Sequence, residues 1–237
     1  MIENLDEFLV GIAIGVRFRP NFSIEDQLGR VADDLLYKSQ SSFGRLFHEV
    51  RAAVGGTGKQ LFNRSTGDVL TIDNSNFILE LGVSPSITVD EIHHLISAYN
   101  EEVIHGVMKS CDVRQIHRIG YVCRYIFTIE DLAHRFVNKT IGRSFEGVDD
   151  INLAFSKRIP SEAAIAQRDV NDYHNVIFNI IKYADKSEIY MSVDYQKLFD
   201  PLLPSVNEIP FGPFIQSAER FNRDNYLPWL NTYYVEG

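Results

Sequence analysis

The run Arg114-Gln115-Ile116-His117-Arg118-Ile119-Gly120-Tyr121-Val122-Cys123-Arg124-Tyr125 gathers residue types suited to holding an anion. Guanidinium groups make forked, charge-assisted hydrogen bonds to carboxylate and phosphate, and tyrosine rings offer flat stacking surfaces. At strand spacing, Arg114, Arg118 and Arg124 share one face, and His117, Tyr121 and Tyr125 share the other. Arg17 and Arg19 recur in an earlier strand-like segment. A strand packed into a closed core seldom carries so many cations, because unpaired buried charge is costly. Either these arginines pair with carboxylates at a sheet rim, or they line an anion-binding or partner-binding groove. Gly120 would let a ligand approach the backbone closely. Trp229, Tyr233 and Tyr234, following Pro228, form a second candidate surface. They read as core packing or as a tail that docks on a protein partner.

Other chemical frames fail on spacing. Gly55-Gly56-Thr57-Gly58-Lys59 looks like a phosphate loop, but Ala53 and Gln60 occupy positions where the P-loop needs glycine and a hydroxyl. It reads as a connector. Arg168-Asp169…His174 resembles the Arg-polar-x-His pattern of HEPN ribonucleases, yet it runs into an apolar strand. His117 or His174 as a general base is thus the minor, nuclease-like alternative. His93 and His94 are adjacent on a helix and point in different directions. Asp33-Asp34 and Asp149-Asp150 are lone acidic pairs. No metal site and no cofactor is expected.

The elements that position these residues show an internal repeat. Residues 14–31 align without gaps on residues 119–136, at an offset of 105. The pairs Ile14/Ile119, Gly15/Gly120, Arg19/Arg124, Phe22/Phe127, Ile24/Ile129, Glu25/Glu130, Asp26/Asp131 and Arg30/Arg135 are identical. Each copy reads as strand, turn and helix. Ser23 and Thr128 are placed as helix N-caps, with Asp26 and Asp131 three residues on. The first half continues with strands over 45–54, 59–63, 69–72 and 77–83. A long helix over 89–110 follows, capped by Thr88. The second half gives strands over 150–156, 173–183 and 188–195, then a helix from Phe214 to Asn225 that Pro228 limits. The expected fold is α+β, two tandem ferredoxin-like or split strand-helix-strands-helix repeats packed as one globule. The halves are 1–112 and 113–237. Helices would cover one sheet face in each, and the other two faces could meet.

The chain has 237 residues with a formal charge of −9, 45 % apolar and 23 % charged residues. That is an ordinary globular composition. The charge disfavours broad attraction to nucleic acid or anionic lipid. The start is acidic rather than signal-like, and no apolar run approaches a membrane span. Cys111 and Cys123 read as reduced thiols, Cys123 as a small core residue of a strand, so a cytoplasmic setting is expected.

The run Arg118-Ile119-Gly120-Tyr121…Arg124-Tyr125-Ile126 resembles the "RiGlRY-N" signature of a sporadically distributed, uncharacterised bacterial protein family of about 250 residues. Val16-Arg17-Phe18-Arg19-Pro20 is similar to that family's first strand, and Tyr190–Tyr195 to a late one. Val122-Cys123 lengthens the gap before Arg124-Tyr125, and Ile126-Phe127 stand where the family tends to have Asn. The resemblance implies no known activity. It is compatible with a regulatory or immunity component of a bacterial, defence-type system. The leading expectation is a non-enzymatic binding protein with a protein partner. A sensor of a small anionic ligand held between the halves is the second.

Overall fold

The computed structural model describes residues 2–38, 47–53, 58–83, 89–128, 135, 150–160, 173–183, 186 and 188–235. The strands are β1 (Leu9–Phe18), β2 (Glu49–Ala52), β3 (Lys59–Asn63), β4 (Asp68–Ile72), β5 (Asn76–Gly82), β6 (Ile116–Phe127), β7 (Ile151–Pro160), β8 (Tyr173–Lys182) and β9 (Ile189–Leu203). The helices are α1 (Ser23–Asp33), α2 (Val89–Ala98), α3 (Gly106–Ser110), α4 (Phe211–Phe221) and α5 (Leu227–Val235). The π-helical turns Tyr99–His105 and Asn222–Tyr226 join α2 to α3 and α4 to α5.

All nine strands form one antiparallel sheet, in the order β2-β3-β4-β5-β1-β6-β9-β8-β7. The α+β expectation therefore stands, with a different assembly. Among the described residues there is one sheet, not two that meet face to face. β1 and β6 pair edge to edge and make the sheet continuous across the chain. On either side of that pair the strands run outward as a meander, without the interleaved order of a ferredoxin-like unit. Gly15 lies directly opposite Gly120 in the central pair.

Alternation decides which face the helices cover. Ile12, Ile14, Val16 and Phe18 of β1 are buried, as are Ile119, Tyr121, Cys123, Tyr125 and Phe127 of β6. The helices place their own apolar stripes on that face. Ile24, Leu28 and Val31 come from α1, Ile92, Leu95 and Ile96 from α2, and Phe214, Ile215, Ala218 and Phe221 from α4. Each of the Val, Leu, Ile and Phe side chains contributes about 1.5–3 kcal/mol on burial. Cys111 and Cys123 are both buried and unbridged.

Two local expectations need correction. Ser23 does not cap α1 from outside; it is the first helical residue. The Asn21 carboxamide oxygen accepts from both the backbone N–H and the hydroxyl of Ser23. Nor does Pro228 end the last helix, which continues to Val235. The preceding π turn has already interrupted the ordinary hydrogen-bond ladder, so a residue lacking its N–H fits there. The Ile129–Phe136 helix of the second copy lies outside the described residues, apart from Arg135. So do Thr88 and Thr57.

Among the described residues, no helix is long and apolar enough to cross a membrane.

Candidate functional site

The sheet face opposite α4 carries the complementary set of residues. The register lays them out in rows across the strands. One row runs Asn76, Arg17, Arg118, Leu198, and the next runs Ile78, Gly15, Gly120, Gln196. A third runs Glu80, Ala13, Val122, Asp194. The centre of this face is thus two opposed arginines, then two opposed glycines, then two small apolar residues. The missing side-chain volume leaves a cavity of about 300 Å³, lined by Arg17, Asn76, Glu80, Arg118, Arg124 and Asp194 among others.

The two glycines are not demanded by packing. A Cβ built on Gly15 would meet nothing nearer than Ile78 Cγ1 at 3.9 Å. On Gly120 it would meet Asp194 Oδ1 at 3.5 Å, an ordinary contact. Gly82 is different, because a Cβ there would collide with the Thr66 carbonyl oxygen. Glycine in a strand interior weakens the strand. At Gly15 and Gly120 that cost keeps the floor of the cleft bare.

The electrostatics are uneven along the cleft. Arg124 is paired with Glu80, its Nη2 at 2.5 Å from Oε1. Gln196 donates through Nε2 to Asp194 Oδ2 and accepts from Arg118 Nη1 at 3.4 Å. Burial pushes the Asp194 carboxyl above its ordinary range, opposed by the Gln196 hydrogen bond and the Arg118 charge. No hydrogen bond or ion pair to the Arg17 side chain occurs among the described residues. Arg17 and Arg118 are direct cross-strand neighbours. Like charges so placed repel and destabilise the pairing.

A second cavity of about 690 Å³ adjoins the first and shares Arg17 and Arg118 with it. Its origin is a mismatch in strand length. Between the pairs Arg118–Leu198 and Ile116–Leu203, β6 has only His117, whereas β9 has the four residues Phe199–Leu202. The excess bows outward and forms a wall with Pro20, Tyr173, Phe199 and Leu202; Asp200 also lines it. His117 borders this cavity rather than sharing a face with Tyr121 and Tyr125.

Tyr121 and Tyr125 lie on the helix side, each 3 % exposed, and cannot stack on anything bound at the open face. The Tyr121 hydroxyl donates to Glu219, and Asn222 Nδ2 donates to the Tyr125 hydroxyl. Burial raises both phenols well above their usual range and pushes the Cys123 thiol up to about 12. These groups border a separate cavity of about 290 Å³ beneath the N-terminal segment.

The remaining candidates fall outside the cleft. Arg114 precedes β6 and pairs with Asp112 at 3.0 Å. Arg19 follows β1 and donates to the Gln115 side chain at 2.9 Å, tying together the ends of the central strands. Trp229, partly buried beside the core, packs against Phe155, Phe178 and Tyr226 at centroid distances of 5.6–5.7 Å. The side chains of Tyr233 and Tyr234 lie outside the described set, as do Arg168 and Asp169. His174 is wedged between Tyr195 and Phe214, at 4.9 and 6.4 Å, and burial lowers its pKa. Among the described residues, no cluster of His, Cys, Asp or Glu could hold a metal ion.

Glu80, Asp194, Gln196 and Ile78 were not singled out from the sequence. Their parity is readable, since Asp194 and Gln196 alternate with Met191, Val193 and Tyr195. Their proximity to Arg118 depends on β9 being the neighbour of β6, which no local pattern states. The chain matches no protein-family model and no curated protein.

Proposed function

We propose that this is a non-enzymatic binding protein that holds a small anionic ligand on the open face of its sheet. The site lies at the seam of two related halves, 1–112 and 113–237. One observation carries the reading. Two arginines are opposed without a carboxylate between them, beside a glycine floor that packing does not require. An anion between Arg17 and Arg118 would turn their repulsion into two charge-assisted interactions. The bare Gly15–Gly120 backbone gives it room to sit close. The resemblance to the bacterial family agrees with a regulatory role and adds no site.

The double variant Gly15→Ala/Gly120→Ala tests this. It should raise unfolding stability by about 1 kcal/mol, through lower chain entropy when unfolded and better strand propensity. It should also weaken the binding of inorganic phosphate at least tenfold. Urea denaturation and phosphate titration by calorimetry measure the two effects. A loss of stability would mean that the glycines are structural. Unchanged phosphate binding would remove the floor from the site.

A further inference from the structure

The second cavity shares its two arginines with the first, and its other walls are unlike those of the first. Leu198 stands beside Arg118 in register and is 42 % exposed, which is unusual for a leucine inside a sheet. Pro20, Phe199, Leu202 and the Tyr173 ring continue the apolar lining beyond it. Ile78, 37 % exposed, flanks Gly15 on the opposite side of the arginines. Exposed apolar side chains at the rim of an arginine pair, leading into a concave volume, mark a place where something apolar is covered.

We propose that the ligand is an amphiphilic anion. Its charged head lies between Arg17 and Arg118, and its apolar arm lies along the outward bow of β9 over Leu198, Phe199 and Leu202. This rests on the anion-binding reading of the cleft and adds the chemical class of the ligand. The continuity of the two cavities at the arginines points to the occupant, because a head held there has the apolar wall of β9 directly beside it for an arm. The head fixes orientation by charge, and the arm supplies most of the affinity, since each methylene buried is favourable. Asp200 on the same wall disfavours a second negative charge on the arm.

The test compares inorganic phosphate with n-octyl phosphate, kept below its micelle concentration, by calorimetry on the full chain. Octyl phosphate should bind at least 100-fold more tightly than phosphate. Leu198→Ser, a neutral change at an exposed position, should remove most of that gain. Arg17→Gln/Arg118→Gln should weaken both ligands. Equal affinity for the two phosphates overturns the amphiphile and leaves the anion site standing. Failure of both to bind overturns the anion site and the amphiphile with it. An octyl gain that survives Leu198→Ser moves the arm to another wall and overturns this placement.

Discussion

Tyr226→Ala should destabilise the protein by about 3–5 kcal/mol, the range for deleting a large buried ring. Tyr226 is 2 % exposed and sits in the π turn between α4 and α5. Its ring lies 6.1 Å from Tyr125, 5.6 Å from Phe178 and 5.7 Å from Trp229. It thus ties the helix pair to β6 and β8 at once, and neighbouring rings held by a rigid sheet cannot collapse into the space. Its hydroxyl donates to the Met191 thioether at 3.4 Å, a weak acceptor. Tyr226→Phe should therefore cost less than about 1 kcal/mol. Urea midpoints at constant slope measure both variants. An alanine variant within about 1 kcal/mol of wild type would show that this aromatic cluster does not hold the second half of the sheet to its helices.

Arg17→Gln/Arg118→Gln should act in the opposite way on stability and binding. Phosphate affinity should fall at least 100-fold, equivalent to about 2.7 kcal/mol, because two charge-assisted hydrogen bonds are lost together. Stability without ligand should be unchanged or rise by a few tenths of a kcal/mol, since opposed like charges disfavour the β1–β6 pairing. That gain should shrink between low and moderate salt, as screening shortens the reach of exposed charges to about 10 Å at 0.1 M. Arg114→Gln is the matched control. Its guanidinium is 70 % exposed beside Asp112, off the sheet, so neither binding nor stability should move. Should the double variant bind phosphate as well as wild type, the arginines are a surface feature and the anion reading fails.

The sequence made the strands legible because alternation is a local property. Lys59–Asn63 is bounded to the residue, and β5 and β8 within one, whereas β9 runs on to Leu203, well past the expected end at 195. The pairing of those strands was another matter. The repeat brought Gly15 and Gly120 into correspondence, and in the sheet these two residues face each other across the central pair. The repeat could not say that the halves join at that edge. Arg17, Arg118 and Arg124 were chosen for their chemistry, and all three line the cleft. Tyr121 and Tyr125 were chosen on the same grounds, and they are buried, because the face opposite an arginine face is the one the helices cover. Trp229 reads from the sequence as core packing or as a docking ring, and the second reading depends on Pro228 ending the helix. The π turn that lets the helix pass through Pro228 depends on packing against the sheet. The bow of β9 is a difference between two strands' lengths, visible only once they are paired.

The most direct measurement follows the arginine side-chain Nε–H signals by NMR as inorganic phosphate is added to the full chain at low salt. Saturable shifts should appear at Arg17 and Arg118, with little change at Arg19 and Arg114. Shifts spread evenly over all the arginines, or none at Arg17 and Arg118, would contradict an anion site at the seam.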